Sequence, residues 1–88
     1  MTPADYDAAL VQRLTQHEVL RARGYTFYVG PRGGVVVDRW GHVRGIWHHD
    51  GTRFAWMPAS HSQPTSWADS VDAAERFTVV MLATSTTK

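Results

Sequence analysis

The sequence contains no cysteine, so it offers no disulfide, no thiolate nucleophile and no cysteine ligand for a metal. Lysine occurs once, at Lys88, so nearly all of the positive charge is arginine. No apolar run approaches the roughly 20 residues of a membrane-spanning helix. The first residues also lack the basic-then-apolar order of a secretory leader. From these absences we expect a cytoplasmic chain with no membrane partner.

The residues that are present suit one packed domain. The chain has 88 residues, of which 43% are hydrophobic and 11% aromatic, and four of them are tryptophans. This length has room for one hydrophobic core and no more. We therefore predict a single domain over residues 1–88, with an ordered core of about 2–83 and a short C-terminal tail over residues 84–88.

The net charge of +1 is unevenly placed. Residues 1–20 carry a charge of −2 and residues 54–88 carry −1, whereas residues 21–53 carry +4. The middle segment owes this to six arginines, at positions 21, 23, 32, 39, 44 and 53. Arginine suits planar or bidentate recognition of carboxylates and phosphates. The alternative is that these arginines only keep the surface soluble.

The N-terminal segment has the pattern of an amphipathic helix over residues 3–23. Thr2 can cap it, Pro3 fits its first position and Asp5 can complete a capping box. Apolar positions then recur at spacings of three and four residues, and they are Tyr6, Leu10, Leu14, His17 and Leu20. Gly24 is placed to end the helix in the left-handed conformation.

From Tyr25 to Pro58 the apolar period changes to two, which is typical of strands. We predict a four-stranded antiparallel meander with strands over approximately residues 25–30, 34–38, 42–49 and 52–58. A five-residue turn would span Gly30–Gly34. Asp38–Gly41 would form a type I turn followed by a left-handed glycine, as in a common three-residue hairpin loop, and Asp50-Gly51 would form a two-residue hairpin.

These turns fix the register, and the register sorts the side chains onto two faces. Trp47 would lie opposite Phe54, and Val37 opposite Val43. The predicted core face holds Tyr25, Phe27, Val29, Val35, Val37, Val43, Trp47, Phe54 and Trp56. The opposite face, which we call the open face, holds Thr26, Tyr28, Val36, Asp38, Arg44, Ile46, His48, Arg53, Ala55 and Met57.

A second helix follows a polar loop, and Ser66 or Ser70 is placed to cap it. Its apolar stripe contains Ala74, Phe77, Thr78, Met81 and Leu82. We expect Trp67 to pack against its first turn or to lie over the sheet edge. Because both helices and the sheet each have one apolar surface, the predicted fold is α+β, in the order αββββα, with both helices packed on one face of the sheet.

The sequence patterns that would indicate metal binding, catalysis or phosphate binding are weak. His48 and His49 are neighbours on a strand, so they point to opposite faces, and the remaining histidines lack metal-ligand spacing. Ser60-His61-Ser62 supplies residue types of nucleophilic catalysis, but adjacency in a loop does not build a triad. The glycines at 30, 33 and 34 bracket a turn, with no helix behind them for a phosphate. We therefore predict no metal, no cofactor and no enzymatic activity.

The open face and the Asp38–Gly41 hairpin are the remaining candidates for function. We predict a partner-binding site formed by Tyr28, Arg39, Trp40, Arg44, Ile46, His48, Arg53 and Met57. Methionine, tyrosine and arginine are enriched in protein interfaces, so the leading hypothesis is a non-catalytic protein-binding module. A small inhibitor or accessory protein of a mobile element, of the anti-CRISPR type, is one setting for such a module.

Two alternatives use the same residues. Arginines beside an aromatic ring on an open sheet also suit a nucleic-acid-binding domain, in which rings stack on bases and arginines meet phosphates. A solvated face without a partner is the other alternative. A homodimer formed through the sheet edges or the open face is compatible with either binding hypothesis.

The order helix, strands, helix resembles the double-stranded RNA-binding domain. That family has three strands, whereas four are predicted here. Its second helix begins with a lysine-rich segment that grips phosphates, whereas residues 64–69 contain no lysine and end in Asp69. These departures argue against that family's function for this chain.

Overall fold

The structure is a computed structural model that describes residues 2–84, with three helices and five strands in that range. In chain order the elements are α1 (Pro3–Thr15), α2 (Glu18–Ala22), β1 (Tyr25–Val29), β2 (Val35–Arg39), β3 (His42–His49), β4 (Phe54–Pro58), β5 (Ser66–Ala68) and α3 (Val71–Thr84). The strands form one antiparallel sheet in the order β1-β2-β3-β4-β5. The predicted α+β meander is confirmed, with one strand more than expected.

The N-terminus of α1 is capped as predicted. Thr2 accepts a hydrogen bond from the Asp5 N–H at 3.3 Å, and its own N–H donates to the Asp5 carboxylate at 3.0 Å. That backbone bond is the main reason why the pKa of Asp5 lies below its usual value. Pro3 occupies the first turn, where its missing N–H costs nothing. Leu10 and Leu14 then carry the helix into the core.

The predicted single helix over residues 3–23 is interrupted. α1 ends at Thr15, and His17 adopts an extended conformation, with ψ 104°, as the residue before α2. The His17 ring reaches α3, where its Nε2 lies 2.5 Å from the Glu75 carboxylate. Leu20 still enters the core from α2. The break therefore allows His17 to contact α3 while Leu20, one turn later, stays buried.

The register between β1 and β2 is the predicted one. Phe27 lies opposite Val37 and Val29 opposite Val35, as a five-residue Gly30–Gly34 turn requires. The Gly30 N–H donates to the Gly34 carbonyl at 2.9 Å, which closes this turn.

The register between β3 and β4 differs from the prediction by two residues. Trp47 lies opposite Trp56 instead of Phe54, and the connection is a four-residue turn, since His49 pairs with Phe54. The Asp50 carboxylate accepts hydrogen bonds from the N–H groups that follow it, and this stabilises the longer turn. A shift of two does not by itself move any side chain to the other face.

The connection between β2 and β3 also differs. Arg39 pairs with His42, so the loop has two residues, Trp40 and Gly41, with φ values of 51° and 87°. Two positive φ angles are the mark of a type I′ turn, and the predicted three-residue loop is wrong. The shorter loop is compensated by a β-bulge.

The bulge lies between the pairs Val37↔Gly45 and Asp38↔Val43, which leaves Arg44 as the extra residue. Asp38 belongs to the open face, and directly paired residues share a face, so Val43 lies there too. Val43 is 43% exposed, and its predicted place in the core is wrong.

The core lies between the sheet and the helices, all of which pack on one face. Trp47 is fully buried at its centre, and its indole N–H donates to the Thr78 hydroxyl of α3 at 2.9 Å. Seven of the nine predicted core residues of the strands are buried: Tyr25, Phe27, Val35, Val37, Trp47, Phe54 and Trp56. Besides Val43, the exception is Val29, which is 46% exposed at the end of the outer strand β1.

β5 is the strand that the sequence did not predict. It is only three residues long and pairs with β4, so β4 is internal and the outer strands are β1 and β5. Ser70, one of the two predicted caps, accepts a hydrogen bond from the Ala73 N–H at the start of α3. Of the predicted tail, Thr84 is the last residue of α3, and residues 85–88 lie outside the described residues.

Candidate functional site

A row of apolar side chains crosses the open face. The register places Tyr28, Val36, Ile46 and Met57 directly opposite one another on β1, β2, β3 and β4. Tyr28 is 45% exposed, and Ile46 and Met57 are half-buried. Val36 is buried although it lies on the face opposite the helices, since its neighbours in the row flank it. The row is therefore a dense apolar strip with an aromatic ring at one end.

A second row runs beside the first on β3, β4 and β5. His48 pairs with Ala55, and Ala55 pairs with Trp67. The Trp67 side chain is 50% exposed, and the Arg53 guanidinium lies 5.1 Å from its ring centroid. Trp67 was not among the predicted site residues. Its strand, Ser66–Ala68, is too short for the sequence to show the alternation of polar and apolar residues that indicates a β-strand.

The turn that carries Arg53 is fixed by Asp50. The Asp50 carboxylate accepts hydrogen bonds from the Thr52 N–H at 2.9 Å, the Thr52 hydroxyl at 2.8 Å and the Arg53 N–H at 3.0 Å. These bonds, led by that from the Thr52 backbone, lower the pKa of Asp50 to about 2. The backbone of Arg53 is thus anchored while its side chain extends over Trp67.

The bulge adds two more side chains to this face. Val43 and Arg44 are both exposed beside the Asp38 position of β2. The Arg44 carbonyl accepts a hydrogen bond from the Ala59 N–H at 3.0 Å, so the strand is held to the chain that follows β4. The bulge therefore presents an aliphatic and a cationic side chain next to each other.

The open face is cationic. Neither Arg44 nor Arg53 forms an ion pair with any residue in the described range. Asp38 is the one carboxylate that the five strands place on this face within residues 2–84. It is only 9% exposed, and one of its oxygens accepts the Gly41 N–H at 2.8 Å. Both arginines are thus available to anionic groups of a partner.

Six of the eight predicted site residues share the open face, namely Tyr28, Arg44, Ile46, His48, Arg53 and Met57. Arg39 and Trp40 lie elsewhere, at the end of the sheet where α2 leads into β1. The Arg39 guanidinium lies 4.1 Å from the Trp40 ring centroid, and its Nε donates to the Arg23 carbonyl at 2.8 Å. The structure therefore divides the predicted site into a face and a separate hairpin.

Trp40 is the exposed part of that hairpin. It is 69% exposed, and it is the one residue other than glycine with a positive φ between residues 2 and 84. A tryptophan in this conformation is strained, because its Cβ crowds the neighbouring carbonyl. Its indole crosses Gly24, where a Cβ would overlap the ring. This packing and the Arg39 stack offset part of the strain.

The histidines occupy unrelated environments. His48 is exposed on the open face, whereas His49 stacks on Tyr6 on the other side, with ring centroids 3.9 Å apart. Ser60 Oγ lies 3.3 Å from His61 Nδ1, and both residues are exposed. Within residues 2–84, no three histidine or carboxylate side chains converge on a point where a metal ion would bind.

Comparisons of this chain with protein-family models, with curated proteins and with solved structures find no match. No helix between residues 2 and 84 has the length and apolar character that crossing a membrane requires.

Proposed function

We propose that this chain is a non-catalytic protein-binding module and that the open face is its recognition surface. One observation carries the proposal: an apolar row from Tyr28 to Met57, exposed at Tyr28 and half-buried at Ile46 and Met57, lies between arginines that have no ion-pair partner in the described chain. An apolar centre with a polar, cationic rim is the usual anatomy of a protein interface.

The arrangement of aromatic rings favours protein over nucleic acid. Single-strand binders stack successive bases on aromatic side chains. Here Val36, which is buried, and Ile46, which is half-buried, occupy the middle strands β2 and β3, and the rings of Tyr28 and Trp67 lie on the outer strands. Aliphatic side chains at the centre suit a partner's apolar side chains better than a row of bases.

The partner chemistry follows from the same residues. A complementary protein surface would insert apolar side chains over Ile46 and Met57 and place carboxylates against Arg44 and Arg53, where bidentate pairing is available. We propose an inhibitor or accessory protein of a mobile element, of the anti-CRISPR type, as the setting, because a small module of this kind acts by occupying another protein's surface. We also propose a cytoplasmic location, since the chain has no need of an oxidising compartment.

The test begins with the partner captured by the immobilised chain, whose affinity is then measured for charge variants. Arg44→Glu should weaken binding about tenfold or more, because it replaces attraction by repulsion at the rim of the face. Arg76→Glu is the matched control: Arg76 is exposed on α3, on the helical side of the domain. Equal affinity for both variants would remove the proposal.

Variants of two exposed tryptophans distinguish binding at the open face from binding at the hairpin. Trp67→Ala should weaken binding, whereas Trp40→Ala should leave it nearly unchanged. The reverse result would move the recognition surface to the hairpin. Affinity for single-stranded oligonucleotides that falls steeply with salt, together with no protein partner, would favour the nucleic-acid alternative.

A further inference from the structure

β1 is an outer strand whose sequence has none of the features that usually protect a sheet edge. Natural proteins shield outer strands with charged residues, proline, bulges or short length. The other outer strand, β5, is short, with three residues. β1 has five residues, Tyr-Thr-Phe-Tyr-Val, with no charge, no proline and no irregularity in its pairing with β2.

The hydrogen bonds that bracket the β1–β2 ladder show which backbone groups point outward. The Gly30 N–H donates to the Gly34 carbonyl at 2.9 Å, and the Trp40 N–H donates to the Gly24 carbonyl at 3.2 Å. In an antiparallel pair the hydrogen-bonded positions alternate along the strand. The even-numbered residues of β1 therefore bond to β2, and the backbone N–H and carbonyl groups of Tyr25, Phe27 and Val29 point away from the sheet.

Exposed apolar side chains lie on β1 and around its start. Seven large hydrophobic residues are exposed within residues 2–84, and among them Tyr28 and Val29 lie on β1, Val19 on α2 before it and Trp40 in the β2–β3 turn. Val29 lies at the end of the strand and is 46% exposed, while Trp40 lies over Gly24 just before the strand begins. The edge thus combines outward backbone groups with apolar surface.

We propose that β1 pairs antiparallel with β1 of a second copy of this chain, with Phe27 at the two-fold axis. In this register Phe27 exchanges hydrogen bonds with Phe27 of the partner subunit, and Tyr25 exchanges them with Val29 of the partner subunit. All outward groups of β1 are then satisfied, and the two sheets join into one of ten strands. The two-fold axis is perpendicular to the sheet, so both helical layers lie on the same side.

A second copy is the favoured occupant because the edge is complementary to itself. The outward positions 25, 27 and 29 are symmetric about Phe27, so the pairing closes as a two-fold interface without an unmatched end. The strand brings no like charges together, because none of its five residues is charged. This inference is independent of the proposed function, which concerns the open face.

The first test is the mass of the protein in solution, measured by sedimentation over a range of concentrations. The expected result is a dimer that dissociates on dilution. In a mixed sample of labelled and unlabelled chains, an intermolecular NOE should join the α protons of Thr26 and of Tyr28 of the partner subunit. These two residues form the non-hydrogen-bonded pair, with Cα atoms about 4.5 Å apart.

A pair of matched variants locates the interface. Val29→Lys should raise the dimer dissociation constant about tenfold or more, because it places a charge at the edge. Val43→Lys makes the same change at an equally exposed valine of the open face, 43% against 46%, and should leave the constant unchanged. Circular dichroism checks that both variants are folded.

Three results would overturn the proposal. The first is a wild-type chain that stays monomeric up to about 1 mM, where even weak association becomes visible. The second is a dimer that Val43→Lys disrupts and Val29→Lys does not. The third is a dimer without the NOE between Thr26 and Tyr28.

Discussion

Replacing Thr78 by valine should expose the importance of one buried hydrogen bond. The Trp47 indole N–H donates to the Thr78 hydroxyl at 2.9 Å, and that hydroxyl donates to the Ala74 carbonyl at 2.7 Å. All three residues are fully buried. Valine has nearly the shape of threonine, so it opens no cavity. The Ala74 carbonyl keeps the N–H of residue 78 as its helical partner, so only the indole N–H loses its partner.

The expected cost is that of a buried donor without an acceptor, about 1–3 kcal/mol in the free energy of unfolding. For a domain of this size each kcal/mol corresponds to about 4–8 °C in Tm. Urea unfolding followed by far-UV circular dichroism measures the loss. Thr15→Val makes the same substitution at an exposed position of α1 and should change stability by no more than about 0.5 kcal/mol.

A double-mutant cycle isolates the hydrogen bond from other effects. Trp47→Phe removes the donor, so Thr78→Val should then cost close to nothing, because no group remains to be orphaned. The coupling free energy should be about 1 kcal/mol or more. If Thr78→Val costs the same with Trp47 and with phenylalanine, or costs nothing in the native sequence, the hydrogen bond is not what stabilises this part of the core.

Two further predictions concern turns. The pKa of Asp50 is about 2, against about 3.9 in an unfolded chain, so its turn stabilises the fold fully above about pH 4 and progressively less as the pH falls towards 2; a carboxyl titration by NMR with a midpoint near 3.9 would contradict this. Gly24→Ala should lower Tm more than Gly41→Ala and shift the fluorescence of Trp40, because both glycines have φ near 90° but only a Cβ at Gly24 meets the Trp40 ring. Equal effects of the two substitutions would contradict the packing of Trp40 on Gly24.

The two faces of the sheet were predictable from sequence because they depend on parity. The predicted pairing of Trp47 with Phe54 is wrong, yet both residues are buried as expected. Side chains alternate with a period of two, so a register error of two residues moves none of them to the other face. Four predicted residues of the candidate site, Tyr28, Ile46, His48 and Met57, share one face for the same reason. Their role in binding stays a prediction.

The features that sequence reasoning missed depend on a register shift of one residue or on tertiary contacts. The bulge adds one residue, Arg44, and so moves Val43 to the open face. β5 has three residues, too few for alternation to show, and it places Trp67 beside Ala55. The break at His17 depends on Glu75, which is 58 residues away in the chain. A local sequence pattern cannot reveal a contact between residues so far apart in the chain.

The two features of the sheet that the sequence did not predict both add apolar surface to the open face. The bulge and β5 each place a large apolar side chain, Val43 or Trp67, on the open face, where each is about half exposed. Burying such groups is worth about 25 cal/mol for each Å² removed from water, so the isolated domain forgoes stability that a partner surface can recover. Tyr28 lies both on this face and on the β1 edge. Pairing of two β1 strands would set Thr26 of the partner subunit beside it and continue the open face across the two-fold axis, so the edge and the face would form one contiguous surface.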